Sequence, residues 1–156
     1  MDFFDTMSEA VAVARPSGVF DFDPREMHMS ETAKIRIGYA LSAIFVLFML
    51  GASVSPKLLG LPVAEEIMAA LGWPPGYALP IGILELALTL LYIYPRTNVL
   101  GAILFMGLFG GAMATQIRAG SPLFSHILFS IYLGLFMWGG LWLRDAALSA
   151  VFPWRR

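Results

Sequence analysis

The chain has 156 residues, no cysteine and a formal net charge of −1. That length suits one domain; the lack of cysteine excludes disulfides, thiolate metal sites and iron–sulfur clusters, and the charge leaves no basic footprint for nucleic acid. Hydrophobic residues make up 58% and charged residues 13%, roughly half the charged share of a soluble domain, which points to a lipid bilayer as the main partner.

Residues 1–33 read as a cytoplasmic N-terminal extension. The first thirty, MDFFDTMSEAVAVARPSGVFDFDPREMHMS, are acidic and broken by Pro16, Gly18 and Pro24. Asp2 stands where a signal peptide carries its basic start, so the segment is not expected to act as one. The first apolar block is expected to serve as the insertion signal instead. Phe3, Phe4, Met7 and Val11 fit one apolar face of a short helix, either a frayed tail or a docking helix. Met27 and Met29 stand as alternative start points. Met27, His28 and Met29 are soft ligands, but three of them in a tail are too weak a signal for a copper site.

Four apolar blocks follow: Ile35–Val54, Tyr77–Tyr94, Val99–Ile117 and Leu123–Leu143, each 18 to 21 residues long. A spanning helix needs ~20 apolar residues. The expected fold is therefore all-α, a four-helix integral membrane bundle over residues 34–145. Basic residues set the orientation. Arg15, Arg25, Lys34 and Arg36 lie at or before the start of the first block, Arg96 between the second and third, and Arg144, Arg155 and Arg156 after the fourth. Only Lys57 and Arg118 fall on the other side, so both termini are expected in the cytoplasm. Tyr92, Tyr94, Trp138 and Trp142 then form an inner aromatic belt, with Trp73 and Tyr77 at the outer interface.

Between the first two blocks, PVAEEIMAALGW reads as a short amphipathic helix. Pro62 suits its start, Glu65 and Glu66 its first turn, and Gly72 its end. Ile67, Met68, Leu71 and Trp73 would face lipid or cover the mouth of the bundle. Residues 146–156 read as an interfacial tail.

Helical spacing gives each block one polar or small-residue stripe. The stripes are Gly38, Ser42, Phe45, Met49 and Ser53; Ala78, Gly82, Glu85 and Thr89; Gly107, Gly111, Ala114, Thr115 and Arg118; and His126, Ser130, Gly134 and Met137. Gly82, Gly107, Gly111 and Gly134 are candidate helix-packing positions, Gly107 and Gly111 forming a GxxxG pair. Glu85 is the carboxylate in the middle of an apolar block, and a charge there needs a partner. It lies roughly eight residues past Tyr77, about 12 Å into the helix. Ser53, Gln116, Arg118, His126 and Ser130 fall in the same depth band. Together these six form a candidate ligand pocket, with Phe45, Met49, Met106, Met137 and leucines as apolar lining below. Glu85 is either protonated or ionised against Arg118 or protonated His126, and Gln116 is a further candidate partner. It is either a structural pin or a ligand or proton site. No catalytic triad, nucleotide loop, paired acids or metal ligand set is present, so no intrinsic cofactor is expected.

The stretches KIRIGYALSAIFVLFMLGASVSPKL, GILELALTLLYIYPRTNVLGAILFMGLFGGAMATQIRAG and WGGLWLRD resemble the DoxX-like family of small bacterial membrane proteins. The resemblance covers about Lys34 to Asp145. It implies a four-helix membrane fold and links the chain to quinone-dependent systems. The family takes its name from a small subunit of a terminal quinol oxidase or thiosulfate:quinone oxidoreductase, and other members associate with membrane oxidoreductase complexes. Members often carry a histidine where Gln116 stands here. The expected role is a quinone- or lipid-binding or accessory subunit, with oxidoreductase subunits or further copies of itself as partners, and not a complete enzyme. A small proton-coupled transporter using Glu85 is the alternative, and a structural membrane-assembly module the third reading.

Overall fold

Pro56 shapes the first helix. It has no N–H to give to the carbonyl one turn back, which ordinarily ends or kinks a helix. Here the preceding turn widens instead. Met49–Val54 forms a π-helical turn, in which the Ser55 N–H donates to the Leu50 carbonyl, and the chain resumes as an α-helix over Ser55–Leu58. A π-turn absorbs one extra residue without breaking the rod. The result is one helix, α1, from Glu31 to Leu58.

The structure is a computed structural model that describes residues 30–151. The expectations for Phe3, Phe4, Met7, Val11, Met27, His28, Met29, Trp154, Arg155 and Arg156 lie outside those residues. The chain divides into two units, Met1–Ser30 and Glu31–Arg156, and every helix described here belongs to the second. After α1 come α2 (Pro62–Ala70), α3 (Ala78–Ile93), α4 (Asn98–Arg118), α5 (Leu123–Arg144) and α6 (Ala146–Val151). The described residues contain no strand. α1, α4 and α5 are long and apolar enough to cross a membrane, at 28, 21 and 22 residues. α3 is also apolar but has only 16 residues. Pro95 follows it and disfavours helix in the residue before it, so Tyr94 turns to extended backbone and closes the C-terminal end.

Helix ends are closed locally. α2 starts with Pro62 at its first position, where the missing N–H costs nothing. It ends at Gly72, which takes φ +77°. The Trp73 N–H then reaches back 2.9 Å to the Met68 carbonyl, a Schellman closure that favours glycine. α5 opens with another wide turn, the Leu128 N–H donating to the Leu123 carbonyl at 2.9 Å.

Three glycines set the helix spacing. A Cβ on Gly38 would stand 2.8 Å from the Gly140 carbonyl oxygen, and one on Gly140 would strike Ser42 Oγ. α1 and α5 therefore cross backbone to backbone. A Cβ on Gly101 would stand 2.6 Å from the Tyr92 nitrogen, which brings α4 equally close to α3. Small residues allow this approach where lipid supplies no hydrophobic drive between helices. Around these contacts lies an apolar core of Phe45, Met49, Leu88, Tyr92, Ala102, Phe105, Phe109, Met137 and Leu141. Phe45 sits edge-on to Tyr92 and Phe105, with ring centres 5.1 and 5.2 Å away. The outward faces are apolar too: Leu47, Leu90 and Leu135 are all more than half exposed, as lipid-facing surfaces are.

The expected close contact through Gly107 and Gly111 is not present within this chain. Among the described residues, no atom outside their own helix comes within 4 Å of a Cβ built on either residue. The core-facing residues of α4 are Gly101, Ala102, Phe105 and Phe109. A step of two residues turns a helix by about 200°, so Phe105 and Phe109 turn Gly107 and Gly111 away. Gly82 does sit at a close contact, 2.7 Å from Lys57 Cβ, and Gly134 makes an ordinary one with Met106. Tyr92 is no belt residue. It is fully buried, because it continues the Glu85 and Thr89 face of α3 by one further turn.

Candidate functional site

The extra turn of α1 carries Lys57 to the face that holds Ser53, four residues earlier. On α3, Gly82 leaves room for the lysine stem, and Glu85, three residues on, meets its head. Lys57 Nζ lies 2.9 and 2.8 Å from the two Glu85 carboxylate oxygens and 2.7 Å from Ser53 Oγ. Ser53 Oγ in turn donates to Glu85 Oε2 at 3.0 Å. The two side chains are only 15% and 8% exposed. Below them the Thr89 hydroxyl donates to the Glu85 backbone carbonyl at 2.7 Å.

This corrects the expected company of Glu85. Its partners are Lys57 and Ser53, not Arg118, His126 or Gln116. Arg118 instead donates through Nη2 to the Leu71 carbonyl at 2.8 Å, tying the end of α4 to the end of α2. His126 is exposed and its Nδ1 pairs with Ser125 Oγ at 2.8 Å. Gln116 keeps a buried carbonyl oxygen with no hydrogen-bond partner among the described residues.

Beside the ion pair lies an open cavity of about 1000 Å³. α1, α3, α4 and α5 wall it, and α2 covers one side with Val63, Ala64, Ile67 and Met68. Met49, Leu88, Leu108, Phe129 and Leu133 make it apolar. Its polar lining is Ser53, Lys57, Glu85, Thr115, Gln116, His126 and Ser130. Five of the six pocket residues read from the sequence thus share this cavity, and Arg118 stands outside its lining. Gly107 and Gly111 line it as well, which is why no side chain packs on them. Of the expected apolar lining, Met49 belongs to the cavity. Phe45 and Met137 are fully buried in the core and Met106 is exposed. The lining extends to Phe109, which sits edge-on to Phe45.

Lys57 is the functional candidate that sequence reading missed. Its position four residues after Ser53 was the available signal, and Pro56 masked it. A second polar cluster joins α1, α3 and α5. The Tyr92 hydroxyl donates to the Met137 carbonyl at 2.9 Å, so the Ser42 hydroxyl, 2.9 Å away, must donate to Tyr92. The Arg144 guanidinium lies over the Tyr39 and Tyr92 rings, 5.1 and 5.7 Å from their centres, a cation–π arrangement. This cluster contributes nothing to the cavity lining. Among the described residues no group of three or more His, Asp or Glu could hold a metal ion.

The arrangement gathers polar side chains on the wall of an apolar cavity. It offers apolar walls, a few fixed polar atoms and a neutral ion pair. Comparison with known families matches residues 40–140 to the DoxX-like family. Neither the curated proteins nor the solved structures gave a match. The match spans well over half of the chain, and the chain belongs to the DoxX-like family.

Proposed function

We propose that this DoxX-like membrane protein holds an amphipathic, lipid-like molecule in the α1–α5 cavity, with an isoprenoid quinone as the leading case, and serves as a binding or accessory subunit of a membrane redox system. The observation that supports this reading is the cavity itself, about 1000 Å³ of apolar wall with polar atoms gathered at Lys57, Glu85, Ser53 and Gln116. Ligand sites pair apolar walls with a few placed polar groups in volumes of roughly 300–1000 Å³. A long-chain quinone or lipid suits the apolar surface, and the Gln116 amide among the lining residues carries N–H donors for the carbonyl of its head. In this reading α3 also crosses the bilayer, making four spans with both termini in the cytoplasm of a bacterial inner membrane. Oxidoreductase subunits or further copies of the chain would be its neighbours.

The test is extraction. Purified protein should carry quinone or a specific lipid above its share in the bulk membrane. Gly111→Leu, which places a side chain in open space inside the cavity, should lower that amount at least fivefold while leaving the fold intact. Bulk phospholipid at bulk ratios in both proteins, together with proton-coupled solute flux in proteoliposomes, would replace this reading with a transporter.

A further inference from the structure

The cavity has a neighbour on the outside of the bundle. Between α1 and α5 lies a second hollow of about 180 Å³. Phe48, Phe129 and Leu133 line both hollows, so these three side chains form the partition between them. Beyond the partition stand Ile44, Tyr132 and Phe136, exposed by 53%, 40% and 39%. Apart from the Tyr132 hydroxyl, the lining of this outer hollow carries no polar side-chain atom.

The partition sits where α1 and α5 are held apart. The two backbones touch at Gly38 and Gly140. At Phe48, about 15 Å further along α1, two rings fill the seam instead. Phe48 and Phe129 meet edge to face, with ring centres 5.4 Å apart. Each ring also borders a wide turn. Phe48 immediately precedes the π-turn at Met49–Val54, and Phe129 opens the regular part of α5 after the π-turn at Leu123–Ile127. Helices bend at such turns, so the segments beyond the rings are hinged at the level of the partition.

Polarity runs the same way. Along α1, Lys57 and Ser53 mark the polar end of the cavity, Met49 and Phe48 its apolar end, and Ile44 the hollow outside. From Lys57 to Ile44 is about 20 Å at 1.5 Å per residue. An amphiphile whose head stays near the ion pair has its chain directed at the partition. Lipid tails already surround the outer face, so packing contacts rather than transfer from water decide whether a chain stays.

Resting on the reading of the cavity as a ligand site, we infer that the outer hollow is its tail subsite: one long aliphatic chain passes from the cavity between Phe48 and Phe129 and lies against Ile44, Tyr132 and Phe136. The seam between α1 and α5 is then a side door to the bilayer, and the site takes amphiphiles with a flexible chain in preference to compact solutes.

The probe is hexadecanol carrying a photoreactive diazirine either near its hydroxyl or near its chain end. It is added to the full-length protein in nanodiscs, and labelled residues are identified by mass spectrometry. The head-end probe should mark the cavity and the chain-end probe Ile44, Tyr132 or Phe136, both saturably. The chain has no cysteine, so Phe48→Cys combined with Phe129→Cys can be bridged by a short, reducible thiol cross-linker. Bridging should lower chain-end labelling of the hollow about tenfold, the effect of losing on the order of ten packing contacts. It should leave head-end labelling of the cavity in place, and reductant should reverse it. Gly111→Leu, which fills the cavity and spares the seam, should lower both labels. Chain-end labelling that does not saturate, or that persists in the bridged protein or in Gly111→Leu, is contact with surrounding lipid; it overturns the tail subsite while saturable head-end labelling keeps the cavity as a site. No saturable labelling by either probe overturns both.

Discussion

Lys57 and Glu85 belong together energetically. Two charges taken out of water cost several kcal/mol each, and their attraction offsets this only when geometry and further hydrogen bonds are good. Both conditions hold here, with two short contacts and Ser53 bridging them. Removing one partner strands the other. Lys57→Ala and Glu85→Leu are each expected to lower stability by about 3 kcal/mol. The double change Lys57→Met with Glu85→Leu should recover most of the loss, because an apolar pair of similar volume carries no stranded charge. Unfolding in detergent titrations measures all three, and equal losses in the two singles and the double would refute the coupling. Glu85 was legible in the sequence because a carboxylate in an apolar block stands out. Its partner was not, because the usual rule stops a helix at proline, and only the wide turn at Met49–Val54 lets α1 run on to Lys57.

At the scale of helices, glycine does two different jobs in this chain. Gly38, Gly101 and Gly140 let backbones touch, whereas Gly107 and Gly111 leave space empty. Gly101→Ala and Gly140→Ala should each weaken the fold by about 2 kcal/mol, in line with overpacking costs of roughly 1–3 kcal/mol. Gly111→Ala should be neutral or slightly stabilising, since alanine is the better helix former by up to about 1 kcal/mol. Thermal melts in detergent decide this; a large loss at Gly111 with none at Gly140 would reverse the assignment of helix faces. The stripes of α1, α3 and α5 were readable because most of their residues, Gly38 and Ser42, Gly82 and Glu85, Ser130 and Gly134 among them, are the buried ones, His126 being the exposed exception. That of α4 misled because Phe105 and Phe109, not Gly107 and Gly111, face the core. Periodicity reports that two faces differ; it does not say which one a neighbour occupies.

At the scale of the molecule, α3 is the element that decides topology. Its 16 residues rise about 24 Å at 1.5 Å each, against a hydrocarbon core of about 30 Å. If it crosses, three crossings separate Gly60 from the C-terminus; if it does not, two do. A reporter inserted at Gly60 and one fused after Arg156 should therefore give opposite results, periplasmic and cytoplasmic. Signals from the same side would make α3 a helix packed within the bundle without spanning. The all-helical character and the apolar lengths of α1, α4 and α5 could be read from composition and block length alone. The cavity could be anticipated only as a depth band of polar residues, because its walls depend on how the helices are rotated.

The Lys57–Glu85 contact also bears on how the protein is made. The two residues lie on different helices and leave the ribosome one after the other. Until α3 docks on α1, Glu85 is a carboxylate in the middle of a short apolar segment with no cation beside it. In the four-span reading its insertion depends on a helix already in the membrane, and α1 is then expected to act as the receptor for α3 during biosynthesis. A Lys57→Ala chain should therefore fail earlier than its folded-state stability implies. Translated in vitro into membranes, a smaller fraction of its α3 should become integrated than in the wild type, while integration of α1 stays unchanged. Equal integration of α3 in both chains would confine the role of the ion pair to the finished fold.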